Sequence, residues 1–114
     1  MPFIHTITAK KVSKESEDAL RRKFGEAIAL IPGKSERWLM LALSDESRMA
    51  FRGVCDENAV MAEVSLFGQA DEGSLDRLTK KLTSILCEEL SVPSDHVYVK
   101  YTMTEHWGYD GENF

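Results

Sequence analysis

The sequence predicts an α/β (α+β) domain in which a strand–helix–strand unit occurs twice, giving a four-stranded mixed sheet with two helices on one face. Three observations support that class. Two helical stripes each lie between strand-like runs. The last strand of each half opens on a tetrad of serine, acid, base and apolar residue, Ser35-Glu36-Arg37-Trp38 and Ser94-Asp95-His96-Val97, and each tetrad follows a proline. A polar stretch from Ser44 to Asn58 joins the halves and is too polar for a core. Together these indicate an internal duplication of a βαβ unit, residues 2–43 and 60–103, within a single domain spanning 1–114.

The elements follow in order. Pro2 to Thr8 reads as a first strand, with Phe3, Ile4, Thr6 and Ile7 supplying aromatic and β-branched character. Ser13 is placed as a helix N-cap, and Glu15, Glu17 and Asp18 suit the positive end of the helix dipole. Leu20, Phe24, Ala27, Ile28 and Ile31 recur at helical spacing until Pro32-Gly33 stops the helix. Trp38 to Leu43 is a continuous apolar run that suits a strand covered on both faces. Val60 to Phe67 alternates as a strand, Gly68 to Gly73 reads as a loop, and Ser74 as a second N-cap. Leu75, Leu78, Leu82, Ile85, Leu86 and Leu90 form the clearest helical stripe, Pro93 ends it, and Val97 to Met103 is the last strand. Each crossover is expected to join two parallel strands. Helices on one face leave the other side of Trp38–Leu43 uncovered. Self-association would cover it; the alternative is that the ends of the run are buried under loops.

Composition narrows the function. The chain of 114 residues is 43% hydrophobic and 29% charged, as an ordinary globular domain is. A formal net charge of −5 argues against nucleic acid as a partner. Lys10-Lys11, Arg21-Arg22-Lys23 and Lys80-Lys81 each adjoin acids and read as solvated faces. No run approaches the roughly 20 apolar residues of a membrane span. Met1-Pro2-Phe3-Ile4-His5-Thr6 shows neither a basic region nor an apolar signal core, so a cytoplasmic protein is expected. Cys55 and Cys87 are expected to be reduced and separate, Cys87 in the core and Cys55 in a polar loop. His5, His96 and His106 share no metal-ligand spacing with either cysteine, and neither metal nor cofactor is expected. Gly33-Lys34-Ser35 is not a phosphate loop, because the required earlier glycine is Ile28.

Pro2 carries the most chemical potential. Removal of Met1 would leave it a secondary amine. An ordinary α-amine has a pKa of about 8, and an apolar pocket with a nearby cation would lower it. A neutral amine near pH 7 is a usable base for a proton next to a carbonyl. The Met-Pro dipeptide alone does not establish that role.

The wider pattern does more. Met1-Pro2-Phe3-Ile4 resembles the start of the macrophage migration inhibitory factor family, tautomerases whose mature chains begin at proline. Pro32-Gly33-Lys34, Met49-Ala50-Phe51-Arg52-Gly53, Val64-Ser65-Leu66-Phe67-Gly68, Asp95-His96-Val97-Tyr98-Val99-Lys100-Tyr101 and Trp107-Gly108-Tyr109 through Phe114 resemble further family segments in order and spacing. The resemblance implies a tandem βαβ protomer in a tautomerase-type homotrimer, with sheets facing inward and sites at subunit interfaces. It implies Pro2 as the base and Lys34 as the cation for a substrate carboxylate. Chain nitrogens around Phe67 would bind polar substrate atoms, and Tyr98 would come from the neighbouring subunit. Phe3, Trp38, Trp107, Tyr109 and Phe114 would form an aromatic wall.

Three departures qualify it. Lys100 replaces the family's usual asparagine and would add a second cation. Ala59 and Ala62 stand where mammalian members carry a CxxC, so no thiol chemistry transfers. Trp107 and Tyr109 alter the pocket wall. The expected activity is keto–enol tautomerisation of a phenylpyruvate-like aryl 2-oxo acid, with dopachrome isomerisation as a related one. The alternative is a cytokine-like protein, released by a non-classical route, that binds a host receptor. A third reading, decarboxylation or dehalogenation of small acids, would need extra arginines, for which Arg37 and Arg52 are the candidates.

Overall fold

A computed structural model describes residues 1–114. The chain runs β1 (Pro2–Thr8), α1 (Lys14–Ala27), β2 (Met40–Ser44), β3 (Ala50–Phe51), β4 (Val54–Cys55), β5 (Val60–Phe67), α2 (Glu72–Leu90), β6 (Val97–Thr104), β7 (Gly108–Tyr109) and β8 (Glu112–Asn113). The main sheet has the order β2-β1-β5-β6. Its outer pairs, β1/β2 and β5/β6, are parallel, and the central pair β1/β5 is antiparallel. This is the duplicated βαβ unit read from the sequence, with the two halves meeting back to back. No helix is long and apolar enough to cross a membrane.

Alternation along the strands decides which side faces the helices. Ile4, Ala62, Val64 and Leu66 are buried against Leu20, Phe24 and Ile28 of the first helical segment and Leu78, Leu82 and Leu86 of α2. The opposite face carries three rows fixed by strand register. Met40, Phe3, Ser65 and Thr102 form one; Ala42, His5, Glu63 and Lys100 the next; Ser44, Ile7, Met61 and Tyr98 the last.

Several local expectations need correction. The strand expected over Trp38–Leu43 is Met40–Ser44, because Glu36–Trp38 forms a 3-10 turn. The Trp38 N–H donates to the Ser35 carbonyl at 3.2 Å and the Leu39 N–H to that of Glu36 at 3.1 Å, so these groups are withdrawn from the ladder. The outward residues of β2 are then Met40, Ala42 and Ser44, and the middle row is polar: His5 hydrogen-bonds Ser44 at 2.9 Å, and Lys100 meets Glu63 at 3.2 Å. The second face is therefore mixed rather than uniformly apolar. The connector from Ser44 to Asn58 is not featureless. Phe51-Arg52-Gly53-Val54 makes a two-residue hairpin whose central residues take positive φ, 56° and 82°, as a type I′ turn requires.

Ser74 does not cap α2. Asp71 does, its carboxylate accepting from the Ser74 N–H at 2.9 Å and from the Ser74 hydroxyl at 2.7 Å. Those two bonds, the hydroxyl's first, hold the Asp71 carboxyl below its ordinary value of 3.8. A carboxylate depressed in this way adds stability that is complete above its unfolded pKa and lost as pH falls through its folded value. Asp71→Ala should accordingly lower the urea midpoint at pH 7, and the deficit should shrink once the pH drops below 3.8. An equal deficit at neutral and acid pH would show that the Asp71 charge is not what caps this helix.

Candidate active site

The site forms where the start of β1 meets the end of β5. Pro2 pairs with Leu66, which brings residue 1 over Phe67, and the Phe67 N–H donates to the Met1 carbonyl at 3.1 Å. Beside them, the chain after α1 reverses through Ile31-Pro32-Gly33-Lys34. The Lys34 N–H donates to the Ile31 carbonyl at 3.0 Å, and Gly33 has φ 82°. Proline second and a positive-φ glycine third are the residues a type II turn asks for. The turn aims Lys34 at the N-terminus, and its Nζ donates to the Phe67 carbonyl at 2.7 Å.

Pro2 is fully buried and, with Met1 attached, its nitrogen is an amide without basicity. The free amine here belongs to Met1. Its pKa is lowered from 8.0 to about 6, first by burial, then by repulsion from the Lys34 ammonium, and lastly by a hydrogen bond from Lys34 that favours the neutral amine. The same surroundings would act on Pro2's nitrogen were Met1 removed. That removal would also free the Phe67 N–H, which the Met1 carbonyl now occupies.

Aromatic rings extend from this point. Phe67 lies 5.7 Å from Phe114, Phe114 lies 6.4 Å from Tyr109, and Tyr109 meets Trp38 edge-on at 5.3 Å, all between centroids. Tyr109 and Phe114 are positioned by the β7–β8 hairpin, which the sequence reading did not resolve. Its turn is Asp110-Gly111, with φ 52° and 81°, so the signal was present in the dipeptide. Pro2, Phe3, Trp38, Trp107 and Tyr109 line an open groove of about 1040 Å³, together with Met1, Arg37, Met40, Ser65, Thr102 and His106. Of those last residues Arg37 is one of the two arginine candidates named above; the others were not singled out as site residues, although Phe3-Ser65-Thr102 follows once strand register is known. A small-molecule site usually encloses most of its ligand; this groove lies open, and Met40 at its edge is 68% exposed.

Tyr98 and Lys100 do not join the cluster in their own protomer. Tyr98 stands in the row farthest from Pro2, 61% exposed, with its ring edge-on to Phe51 at 5.3 Å. Lys100 is engaged by Glu63, which also lies 3.6 Å from His5. His5 and Glu63 escaped the sequence reading because their proximity depends on the β1/β5 register. At the loop end, His96 Nδ1 binds Asp56 at 2.5 Å and its ring packs on Phe51, anchoring the β3–β4 hairpin beside Tyr98.

A duplicated βαβ chain whose halves pair antiparallel at the centre of one four-stranded sheet has a tautomerase-type fold. The family model for macrophage migration inhibitory factor matches residues 1–113, and the chain belongs to that family. The solved structure of Leishmania major MIF2 is similar at 27% identity, covering 100% of this chain and 97% of that one, with a TM-score of 0.91. A macrophage migration inhibitory factor-like protein of Entamoeba histolytica shares the fold at 15% identity, 99% and 98% coverage and a TM-score of 0.86. The R7 fused 4-OT, described as an asymmetric trimer, shares it at 14% identity, 97% and 94% coverage and a TM-score of 0.81. The comparison with curated proteins returns no match.

The coupling between Lys34 and the terminal amine can be measured directly. In chain that retains Met1, Lys34→Ala should raise the amine's pKa from about 6, yet leave it below 8.0 because burial, the largest cause, persists. The pH dependence of amine acylation, followed by peptide mass, gives the value. An unmoved midpoint would mean that Lys34 does not act on this amine.

Proposed function

We propose that, once Met1 is removed, this protein is a keto–enol tautomerase of phenylpyruvate-like aryl 2-oxo acids with Pro2 as general base. The observation that carries the reading is the amine-depressing environment at the N-terminus, in which Lys34 stands beside the first residues and next to the Phe67 carbonyl. In the proposed reaction the substrate carboxylate pairs with Lys34 and its ring lies along the aromatic wall. The neutral Pro2 nitrogen takes a proton from C3. The C–H electron pair becomes the C2=C3 double bond, and the carbonyl oxygen takes up the charge and then a proton from water, giving the enol, while the protonated Pro2 returns its proton to water. The reverse direction returns the proton from Pro2 to C3. Lys34 also favours the neutral amine, so one cation serves both binding and basicity.

The open groove motivates a homotrimer in which a neighbouring subunit brings Tyr98 and Lys100 to the site. The trimeric description of the R7 fused 4-OT supports that arrangement, although likeness at 14% identity concerns the fold alone. Sedimentation equilibrium at micromolar concentration, an order suited to a stable interface, should give three times the 12.9 kDa protomer mass. A lone monomer would remove the shared-site arrangement.

Titration tests the base. For protein shown by intact mass to lack Met1, kcat/KM for phenylpyruvate should rise with pH and level off above the amine pKa. Pro2→Gly should retain the fold and lose activity by roughly a hundredfold or more. If Lys100 of a neighbour enters the site, Lys100→Asn should shift the inflection to higher pH, since one repelling cation is gone. A flat profile, or a Pro2→Gly protein as active as its parent, would end the proposal of Pro2 as the base.

A further inference from the structure

Arg37 sits on the wall of the same groove and has no partner of its own charge complement. Lys34 is bound to a carbonyl, and Arg21 and Arg52 have Asp18 and Asp95 respectively. Arg37 instead lies over the Trp38 ring, with its Cζ 5.2 Å from the centroid. The neighbouring acid, Glu36, is turned the other way. Its carboxylate packs on Gly25 of α1, where a β-carbon would overlap it. The lining of the groove holds no carboxylate; besides Arg37, the groups there that can carry positive charge are the terminal amine and His106, neither of which can neutralise a guanidinium.

The placement is ordered. Trp38 is held edge-on by Tyr109, so the ring beneath Arg37 is itself positioned by the C-terminal hairpin. A guanidinium over a ring, with no carboxylate on it, keeps N–H donors for an anion, and its fork matches a carboxylate in two parallel hydrogen bonds. Following ring contacts, Lys34, Phe67, Phe114, Tyr109, Trp38 and Arg37 form a continuous series with a cation at each end. An acid whose 2-oxo carboxylate meets Lys34 would lie against aromatic rings, with the second cation still unused.

We propose that Arg37 binds a second anionic group on the substrate, so that the preferred acid is dianionic: an aryl 2-oxo acid whose ring bears a carboxylate. The assignment rests on the tautomerase reading for Lys34 and the groove. It extends that reading from phenylpyruvate to a charged relative and makes Arg37 a specificity residue with no part in proton transfer.

Phenylacetate and 4-carboxyphenylacetate lack the 2-oxo group and do not tautomerise, so calorimetric titration of each separates binding from chemistry. The Met1-free protein should bind the dianion about tenfold more tightly at low salt, in line with one charge-assisted bidentate pair. Added salt should shrink the preference, because the groove is open to solvent. Arg37→Met and Arg37→Gln should abolish the preference and leave phenylacetate affinity within about twofold of wild type; Arg37 is exposed, and circular dichroism checks that both variants fold. Turnover should follow suit: (4-carboxyphenyl)pyruvate should have the lower KM in wild type and lose that advantage in the variants, with phenylpyruvate unaffected. The proposal fails if wild type shows no preference, if the preference survives loss of Arg37, or if both ligands weaken equally, which would place Arg37 and Lys34 on one carboxylate. A preference that depends on Arg37 without turnover of either 2-oxo acid would instead refute the tautomerase reading and leave the anion site standing.

Discussion

The antiparallel pairing of β1 with β5 is the constraint on which the site depends. It is the only ladder joining the two βαβ halves, and it sets Pro2 opposite Leu66 and Thr8 opposite Val60. Side chains alternate along a strand, so a slip of β5 by one residue would send Val64 and Leu66 outward and bring Glu63 into the core. The apolar face of each strand makes that slip prohibitive. The same register puts Met1 over Phe67 and Phe3 beside Ser65, so the position of the N-terminus is settled by burial of residues that have no chemical role. A terminal residue is ordinarily free to fray. Here it is tied to a central strand of the sheet, which holds the terminal amine in place.

Around that fixed point, electrostatics rather than packing distinguishes the site. Lys34 is half-buried and shares its proton donors with a backbone carbonyl instead of a carboxylate, so its charge is not cancelled nearby. The nearby amine therefore feels both desolvation and a like charge, and both act in one direction. An acidic partner for Lys34 would have stabilised the lysine more and defeated that effect. The turn Ile31–Lys34 bears the consequence in its sequence: a positive-φ glycine and a proline, fitted to place one ammonium group.

Much of the architecture was legible because it follows from periodicity. Leu78, Leu82 and Leu86 are fully buried as their spacing indicated, and the two halves repeat as their tetrads suggested. The misreadings arose where short-range chemistry competes with a pattern. Trp38 belongs to an apolar run, yet the Ser35-to-Trp38 turn captures its N–H. Ser74 is a good capping residue, but Asp71 stands three positions earlier and binds both Ser74 donors. The site was legible in part for the same reason. Pro2, Lys34, Phe67 and the aromatic residues gather at one end, being recognisable by motif. Met40, Ser65 and Thr102 join them only through strand register, which no local window of sequence contains. Tyr98 and Lys100 lie elsewhere on the sheet's outer face and do not line the groove of their own protomer.

The charge distribution sharpens what kind of ligand the groove can favour. The chain carries a formal net charge of −5, so at long range it repels anions. The molecule extends 41 Å along its longest axis, several times the Debye length of about 8 Å at physiological ionic strength. Acids more than a Debye length from the groove are thus screened from it, whereas Arg37 lies on its wall and Lys34 stands beside the terminal amine of Met1, which also lines it. On the proposed reading, a small acid that meets both cations experiences net attraction. A polyanion long enough to reach past the groove meets the acidic surface instead. The same argument limits cooperation between the two cations: they attract a ligand together only when its charges are as close as the aromatic series between them allows. On the proposed reading, selectivity for compact, flat acids would follow from two nearby cations in a chain of net negative charge.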